Sequence, residues 1–167
     1  MSSCPERTAS EPSNILNWRR QGDRLTTSGQ PSEAQLGAIR ALGVAYVVNL
    51  ALHTHEKALA DEAETVASLG MTYIHIPVQF DNPTEADYQR FRDAMGEIGN
   101  QPVHVHCIMN FRVTAFLYRY QREELGVDGA EARARMESVW RPGGVWAALI
   151  GEAAASAGPH RYAGIDY

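Results

Sequence analysis

Cys107 and Arg112 lie five positions apart in the segment HCIMNFR (106–112), which follows an apolar run. The next stretch, VTAFLYRYQREEL (113–125), has the composition and spacing of a helix, so the cysteine is predicted to lie on a strand-to-helix turn. At such a turn, loop amides and the free N–H groups of the first helical turn converge, and the helix dipole adds partial positive charge. This arrangement favours the nucleophilic thiolate of Cys107 and binds an oxyanion. The segment therefore predicts a catalytic loop.

The side chain of Arg112 is predicted to complete this anion site. Its guanidinium can hold two oxygens at once, whereas a lysine would present a single point charge. A lone cysteine at a strand end is most often a small buried hydrophobe, but an arginine that closes the loop after Cys107 favours catalysis. The residues expected to bind the oxyanion are Ile108, Met109, Asn110, Phe111 and Arg112.

Helices that alternate with strands are predicted to position this loop. The first helix runs to Leu42, with Ser32 and Gln35 as a capping box at its start and Gly43 at its end. The β-branched run AYVVNL (45–50) that follows is typical of a buried strand.

The same helix-strand order repeats twice before the loop. A helix over 58–69 is followed by a strand over 71–78. Thr84 and Asp87 then predict the start of a helix that leads into a strand over 102–106. This order predicts parallel pairing.

Two further helices are predicted after the loop, over 128–140 and 145–156, with a break at 142–144. Aromatic residues in this half are expected to pack in the core: Trp140, Trp146, Phe116 and Tyr120. The whole pattern predicts an α/β fold with a central, mostly parallel sheet of four or five strands and helices on both faces. The site is expected at the carboxyl end of strand 103–106, where crevices of open α/β sheets occur.

Three stretches of the sequence carry a resemblance to a known family. HCIMNFR, TSGQPSEAQLGAIRALGVAYVVNL and IHIPVQFDNPTEADYQRF resemble the bacterial beta-lactamase-hydrolase-like group within the dual-specificity and protein tyrosine phosphatase-like superfamily. The resemblance covers about residues 14–150 and implies a cysteine phosphatase-like fold. It implies hydrolysis of phosphate monoesters, including phosphotyrosine, through a phosphocysteine intermediate. Carried over by residue, Cys107 would be the nucleophile, Arg112 the phosphate clamp, Thr114 a hydroxyl that stabilises the leaving thiolate and Asp81 the general acid.

The loop departs from the phosphatase pattern in its length and composition. Four residues separate Cys107 from Arg112 instead of five, and none of them is glycine. Only Asn110 adopts positive φ readily, so we expect a less adaptable loop and slow turnover. The four-residue spacing is typical of rhodaneses, which gives a sulfurtransferase with a Cys107 persulfide as one alternative. A catalytically silent oxyanion-binding module is the other.

Fewer sequence features support Asp81 as the general acid than support Cys107 as the nucleophile. Asp81 lies beside Asn82 and Pro83, where aspartate is also common in turns, so the acid role and a turn role are equally supported. Asp87 is better explained as the helix-start partner of Thr84.

Histidines at alternate positions raise the possibility of a metal site. The pairs are His53 with His55 and His104 with His106. No third group with familiar ligand spacing accompanies them, so neither a metal nor another cofactor is expected. His106 is predicted instead to orient the loop through a hydrogen bond, and His53 and His55 to border the pocket.

Composition limits the class of protein. A chain of 167 residues with 44% hydrophobic and 21% charged residues is typical of one globular domain. A formal charge of -5 argues against a nucleic-acid or membrane partner. The family resemblance implies a phosphorylated small molecule or phosphoprotein as the partner, with a phosphate or sulfate ion in the loop.

The expected domain organisation is a flexible tail over 1–12, a phosphatase-like domain over 13–156 and a second tail over 157–167. The first dozen residues lack the apolar segment of a signal peptide, and no run of about 20 apolar residues is present. Two isolated cysteines do not form a disulfide framework. A cytoplasmic location is therefore expected.

Overall fold

The computed structural model describes residues 11–151, in which helices alternate with the strands of one sheet. In chain order the elements are β1 (Arg19–Arg20), β2 (Leu25–Ser28), α1 (Glu33–Ala41), β3 (Tyr46–Asn49), α2 (Glu62–Ser68), β4 (Thr72–His75), α3 (Glu85–Ile98), β5 (Val103–His106), α4 (Phe111–Glu123), α5 (Gly129–Glu137) and α6 (Gly144–Leu149). The two predicted tails lie outside the described residues except for positions 11 and 12.

The sheet has five strands in the order β1-β2-β5-β3-β4. Only β1 runs antiparallel to its neighbour, and the other three pairings are parallel. β5 lies in the centre, and all four of its residues are buried. The prediction of a mostly parallel α/β sheet with four or five strands is confirmed.

Alternate residues of the strands enter two separate hydrophobic clusters. Val48 and Val105 belong to the larger cluster, which includes residues of α3, α4, α5 and α6. Val47 belongs to the smaller cluster with residues of α1 and α2. Because successive side chains of a strand point to opposite faces, the sheet is covered by helices on both sides.

Side-chain caps begin three of the helices where the sequence predicts them. Ser32 with Gln35 and Thr84 with Asp87 form complete capping boxes at α1 and α3. Asp128 accepts hydrogen bonds from two backbone amides at the start of α5. Each cap satisfies N–H groups that the helix itself leaves unpaired, an effect of about 1 kcal/mol.

Several boundaries differ from the predicted ones for identifiable reasons. β1 and β2 were not predicted, since β2 has the polar sequence LTTS, whose side chains point into a buried polar layer. α2 begins at Glu62 because Asp61 adopts a left-handed conformation. β4 ends at His75, although the backbone N–H groups of Ile76 and Val78, on either side of Pro77, still donate to Asn49 O and Leu50 O.

The helices near the C-terminal end also differ in extent. α4 begins at Phe111, two residues earlier than predicted, and α6 ends at Leu149. Of the predicted helix 145–156, residues 152–156 lie outside the described part. Trp140, Trp146 and Phe116 are buried as predicted, whereas Tyr120 is only partly buried. Among the helices within 11–151, none has both the length and the apolar content needed to cross a bilayer.

His104 lies at the centre of the polar layer between β2 and β5. Its Nδ1 is 2.8 Å from Thr26 Oγ1 and its Nε2 is 2.8 Å from Ser28 Oγ. Ser28 Oγ donates its proton to Gly29 O, so it accepts from Nε2–H, and the ring is neutral with Thr26 as the donor to Nδ1. Burial, with a smaller contribution from the charge of His106, holds the pKa of His104 well below its usual range.

This buried neutral histidine predicts acid sensitivity. The unfolded chain binds a proton at His104 near pH 6.5, whereas the folded chain does not, so stability falls as the pH drops below 6.5. The loss from one such group is at most about 1.4 kcal/mol per pH unit. Urea unfolding between pH 7.5 and 5 should give a steeper decline for the wild type than for His104→Gln. Equal slopes in the two proteins would contradict this account.

Candidate active site

The carboxyl edge of the sheet brings four polar side chains into one row. Ser28, His106, Asn49 and His75 end their strands and lie in register across β2, β5, β3 and β4. Cys107 follows His106 directly, so the loop leaves the sheet at the middle of this row. Ligands of open α/β sheets bind at this edge.

Three consecutive carbonyl groups of the loop are held by donors outside positions 108–111. Cys107 O accepts from His106 Nδ1 (3.1 Å), Ile108 O from the backbone N–H of Gln30 (3.0 Å), and Met109 O from Asn17 Nδ2 (2.9 Å). Two of these donors come from segments flanking β1 and β2, nearly 80 residues or more before the loop. Tertiary packing therefore sets the orientation of the loop peptides.

The carbonyl bonds also determine where the loop amides point. No peptide bond within residues 11–151 is cis, and in a trans peptide the C=O and the next N–H point in opposite directions. The N–H groups of Ile108, Met109 and Asn110 therefore face away from the three donors. Within the described residues none of these amides has a hydrogen-bond acceptor. Consecutive amides of this kind form a concave anion-binding nest.

Gly29, a glycine outside the loop, lets the segment that carries Gln30 lie close to the carbonyl of Ile108. A Cβ at Gly29 would lie 2.4 Å from Ile108 O, closer than any tolerable contact. Within the loop, Asn110 adopts φ of 70°, and its Nδ2 donates to Asn17 O (2.8 Å) and Thr27 Oγ1 (3.0 Å). The conformational freedom that the loop lacks is thus supplied by a glycine on the neighbouring segment and by one tethered asparagine.

Arg112 is completely buried in the first turn of α4. Its Nη1 donates to Val78 O at 2.7 Å, and its guanidinium carbon lies 5.8 Å from the centre of the Phe80 ring. Nε and Nη2 have no hydrogen-bond partner among residues 11–151. Unpaired donors of a buried cation are costly, so two guanidinium nitrogens remain for an anionic ligand at the same helix end as the loop amides.

Thr114 is also buried in the first turn of α4, but its hydroxyl is used locally. Oγ1 donates to Asn110 O (2.9 Å) and lies 3.1 Å from Phe111 O. The contact with Cys107 that the family resemblance implies is not among its hydrogen bonds in the described structure. The hydroxyl instead fixes the turn that carries the loop into the helix.

Asp81 and Asp87 have different environments. Asp81 is exposed in the turn directly after Phe80, and Phe80 and Val78 both contact Arg112. Asp87 is buried, accepts from the backbone of Thr84 and pairs with Arg90, so both of its oxygens are occupied. The predicted capping role of Asp87 is confirmed.

The histidines use their ring nitrogens within the fold. His104 contacts two hydroxyls, and His106 contacts a carboxylate and Cys107 O. His53 stacks on His75 with ring centres 3.7 Å apart, and its Nε2 is 2.7 Å from Tyr73 Oη. Across residues 11–151 no three metal-ligating side chains come together.

Glu62 is a site residue that sequence reasoning missed. Its side chain is 1% exposed, and its Oε2 lies 2.5 Å from His106 Nε2. Burial would raise the pKa of Glu62, but the charge and hydrogen bond of His106 together with Gln30 hold it below its ordinary value. A pattern existed, since Glu62, Val66 and Leu69 share one helical face, so a carboxylate occupies a core position.

Aromatic side chains pack beside Arg112. Phe80, which contacts its guanidinium, packs against Phe111, Trp140 and Trp146, and the Phe80 carbonyl accepts from Trp146 Nε1 at 2.6 Å. Cys107 is itself fully buried.

The chain is similar to known proteins of the phosphatase-like class. No family model matches the chain. The Beta-lactamase hydrolase-like protein of Agrobacterium fabrum is 33% identical over 91 residues, which is 53% of this chain and 21% of the relative. This chain thus spans about a fifth of that relative.

Solved structures cover much more of the chain. A DUF442 protein of the phosphatase type from Shewanella putrefaciens CN-32 is 32% identical, covers 84% of this chain and 90% of its own, and has a TM-score of 0.72. TpbA of P. aeruginosa, solved in complex with pTyr, is 20% identical with a TM-score of 0.62 and covers 78% of this chain and 76% of its own.

The fold is that of the phosphatase-like α/β proteins to which the chain is similar. The chain belongs to the DUF442 family, since the Shewanella relative is 32% identical and is matched over 90% of its length. The predicted resemblance to the beta-lactamase-hydrolase-like group is confirmed.

The contact at Gly29 predicts a local defect in anion binding. In Gly29→Ala the new Cβ displaces the Ile108 peptide, at a cost of about 1–3 kcal/mol from overpacking. Vanadate affinity, measured by calorimetry, should fall at least about tenfold, equivalent to roughly 1.4 kcal/mol.

Gly37→Ala is the matched control, because a Cβ there meets nothing within 4 Å in α1. It should leave vanadate affinity unchanged and raise stability by about 0.5–1 kcal/mol. Wild-type affinity in Gly29→Ala would show that the loop does not depend on this contact.

Proposed function

We propose that this protein hydrolyses phosphate monoesters through a phosphocysteine intermediate on Cys107. The observation that carries the proposal is the tethering of three consecutive loop carbonyls, which leaves the three following amides without acceptors just before a buried arginine. Arg112 retains two guanidinium nitrogens for that ligand. A phosphoryl group in transfer carries its charge on three equatorial oxygens, and this donor set is suited to them.

In the first step the Cys107 thiolate attacks phosphorus. The S–P bond forms while the P–O bond to the leaving group breaks, and the loop amides and Arg112 hold the three equatorial oxygens. Asp81 supplies the proton that the leaving oxygen needs. The products of this step are an alcohol or phenol and a phosphocysteine.

In the second step a water molecule attacks the phosphocysteine. The Asp81 carboxylate accepts a proton from the water, the S–P bond breaks, and inorganic phosphate and the Cys107 thiolate are released. Support for Asp81 comes from its position one residue after Phe80, in the segment that contacts Arg112. Phosphotyrosine is the first substrate to test, because TpbA shares the fold and was solved with pTyr.

A sulfurtransferase is the second candidate, favoured by the four-residue loop and the burial of Cys107. A persulfide needs no general acid, and its outer sulfur is small enough for an enclosed site. The thiolate would take the outer sulfur of thiosulfate and release sulfite, and a later thiol or cyanide would remove that sulfur.

The covalent intermediate distinguishes these two reactions. With a phosphate monoester, rapid quench followed by mass spectrometry should detect a phosphoryl group on the peptide that carries Cys107. The adduct should disappear in Cys107→Ser and persist in Cys4→Ser, which removes the other cysteine of the sequence. Turnover should be slow because the loop has only four residues and no glycine.

Each alternative gives a different result in that experiment. A cyanide-removable sulfur on Cys107 after thiosulfate, with no phosphate release, would assign sulfur transfer instead. Vanadate binding without either adduct would identify a silent oxyanion-binding module. Both results would overturn the phosphatase proposal.

The role of Asp81 predicts a dependence on the leaving group. Phenolate leaves poorly without a proton, so Asp81→Asn should slow phenyl phosphate hydrolysis by about 10²–10⁴-fold. Nitrophenolate leaves without a proton, so hydrolysis of nitrophenyl phosphate should fall much less. Steady-state rates on both substrates give the comparison.

Asp93→Asn is a suitable control, because Asp93 is exposed on α3. It should leave both rates unchanged. Equal losses on the two substrates in Asp81→Asn, or no loss on either, would exclude Asp81 as the acid.

A further inference from the structure

One buried carboxylate, that of Glu62 on α2, is linked to two of the three loop anchors. Its Oε2 accepts from His106 Nε2 (2.5 Å), and the other nitrogen of that ring contacts Cys107 O. Its Oε1 accepts from Gln30 Nε2 (2.9 Å), and the backbone N–H of Gln30 donates to Ile108 O. The carboxylate and the loop are thus connected by two short hydrogen-bonded routes.

The contacts of His106 suit a ring that carries two protons. Its two ring nitrogens face a carboxylate oxygen of Glu62 and the carbonyl oxygen of Cys107. Beside an ionised carboxylate, a neutral imidazole would leave one contact without a proton, whereas an imidazolium would donate to both. Such an imidazolium would pair with the Glu62 carboxylate beside the cysteine backbone.

Most of the groups around the pair are uncharged. His104, on the same strand, is neutral and has its ring centre 6.2 Å from that of His106. His75 on β4 also has a lowered pKa, chiefly through burial. From β2 and β3 the row contributes the uncharged side chains of Ser28 and Asn49. His53, which follows β3, acts electrostatically on Glu62 and His75.

Loss of either partner would leave an isolated charge in the interior. A buried ion pair of this kind contributes little net stability, and its removal by one-sided substitution is costly. At this position the His106–Glu62 pair would act through its charge and its geometry, because an imidazolium at His106 would lie at the start of the loop. A positive charge near a cysteine favours the thiolate over the thiol.

We propose that Glu62 is a positioning residue that keeps His106 in the imidazolium form, and that this cation orients the Cys107 peptide and favours the Cys107 thiolate. The proposal rests on the proposed function only in taking Cys107 as the nucleophile. It concerns the state of the enzyme before any substrate binds, so it can be tested without turnover.

The first measurement is the protonation of His106 in the wild type. Nitrogen NMR of the labelled full chain should find both ring nitrogens of His106 protonated at pH 7. In Glu62→Gln the ring should become neutral, with one nitrogen unprotonated. A neutral His106 in the wild type at pH 7 would overturn the proposal without recourse to any variant.

The second measurement is the rate of alkylation of Cys107 by iodoacetamide against pH, followed peptide by peptide, with Cys4 as the internal reference. An opposite charge within hydrogen-bonding distance shifts a titration by about 1–3 pH units. For the indirect effect through His106, we expect Glu62→Gln to move the Cys107 profile upward by about one unit. That shift is about a tenfold lower rate below the midpoint.

Variants of the same helix separate charge from structure. Glu64→Gln changes an exposed carboxylate two positions away and should leave the profile unchanged. Glu62→Asp keeps the charge and should restore most of the wild-type profile, which a purely structural role of the longer side chain would not allow. Should Glu62→Gln fail to fold, the wild-type NMR titration and Glu62→Asp decide the question.

Two outcomes of the alkylation experiment count against the proposal. One is an unshifted Cys107 profile in folded Glu62→Gln, and the other is no alkylation of wild-type Cys107 at any pH at which Cys4 reacts. Failure of the proposed function has a different signature, since absence of a phosphocysteine leaves the His106 protonation and the alkylation shift intact.

Discussion

Three hydrogen bonds to the carbonyls of Cys107, Ile108 and Met109 determine what this loop can do. Each bond holds one peptide plane, and the planarity of the peptide turns the following N–H to the opposite side. An anion-binding nest usually relies on glycines for its backbone conformation. In this protein the conformation is imposed from outside by neighbouring segments, so bulky residues are accommodated at the loop positions. This arrangement is possible only because Gly29 has no side chain where its segment contacts the Ile108 carbonyl.

The two faces of the sheet differ in polarity. One face carries the apolar side chains of Val48 and Val105 toward the larger core. The other face carries His104 against hydroxyls of β2 and His106 against the Glu62 carboxylate of α2. Buried polar groups are stabilising only when every partner is present. This polar layer therefore contributes less to stability than an apolar face would, but it supplies fixed hydrogen-bonding groups behind the loop.

Arg112 connects the loop to the segment that follows β4. Its bond to Val78 O and its contact with Phe80 link the anion-binding group to the stretch that contains Asp81. Phe80 in turn packs against Trp140 and Trp146. The surroundings of Arg112 and the position of Asp81 therefore depend on the same piece of chain.

The sequence alone was sufficient for the local features: the capping boxes at Ser32 and Thr84, the alternation of helices and strands, and the position of Cys107 at a strand-to-helix turn. These follow from interactions between residues three or four positions apart. The tertiary structure decided the rest. Glu62 lies 44 positions from His106, and Asn17 lies 92 positions from Met109. β2 was not recognised because its polar residues are paired across strands rather than along the chain. No spacing rule expresses such contacts, because the separation in sequence between two paired residues is set by how the whole chain folds.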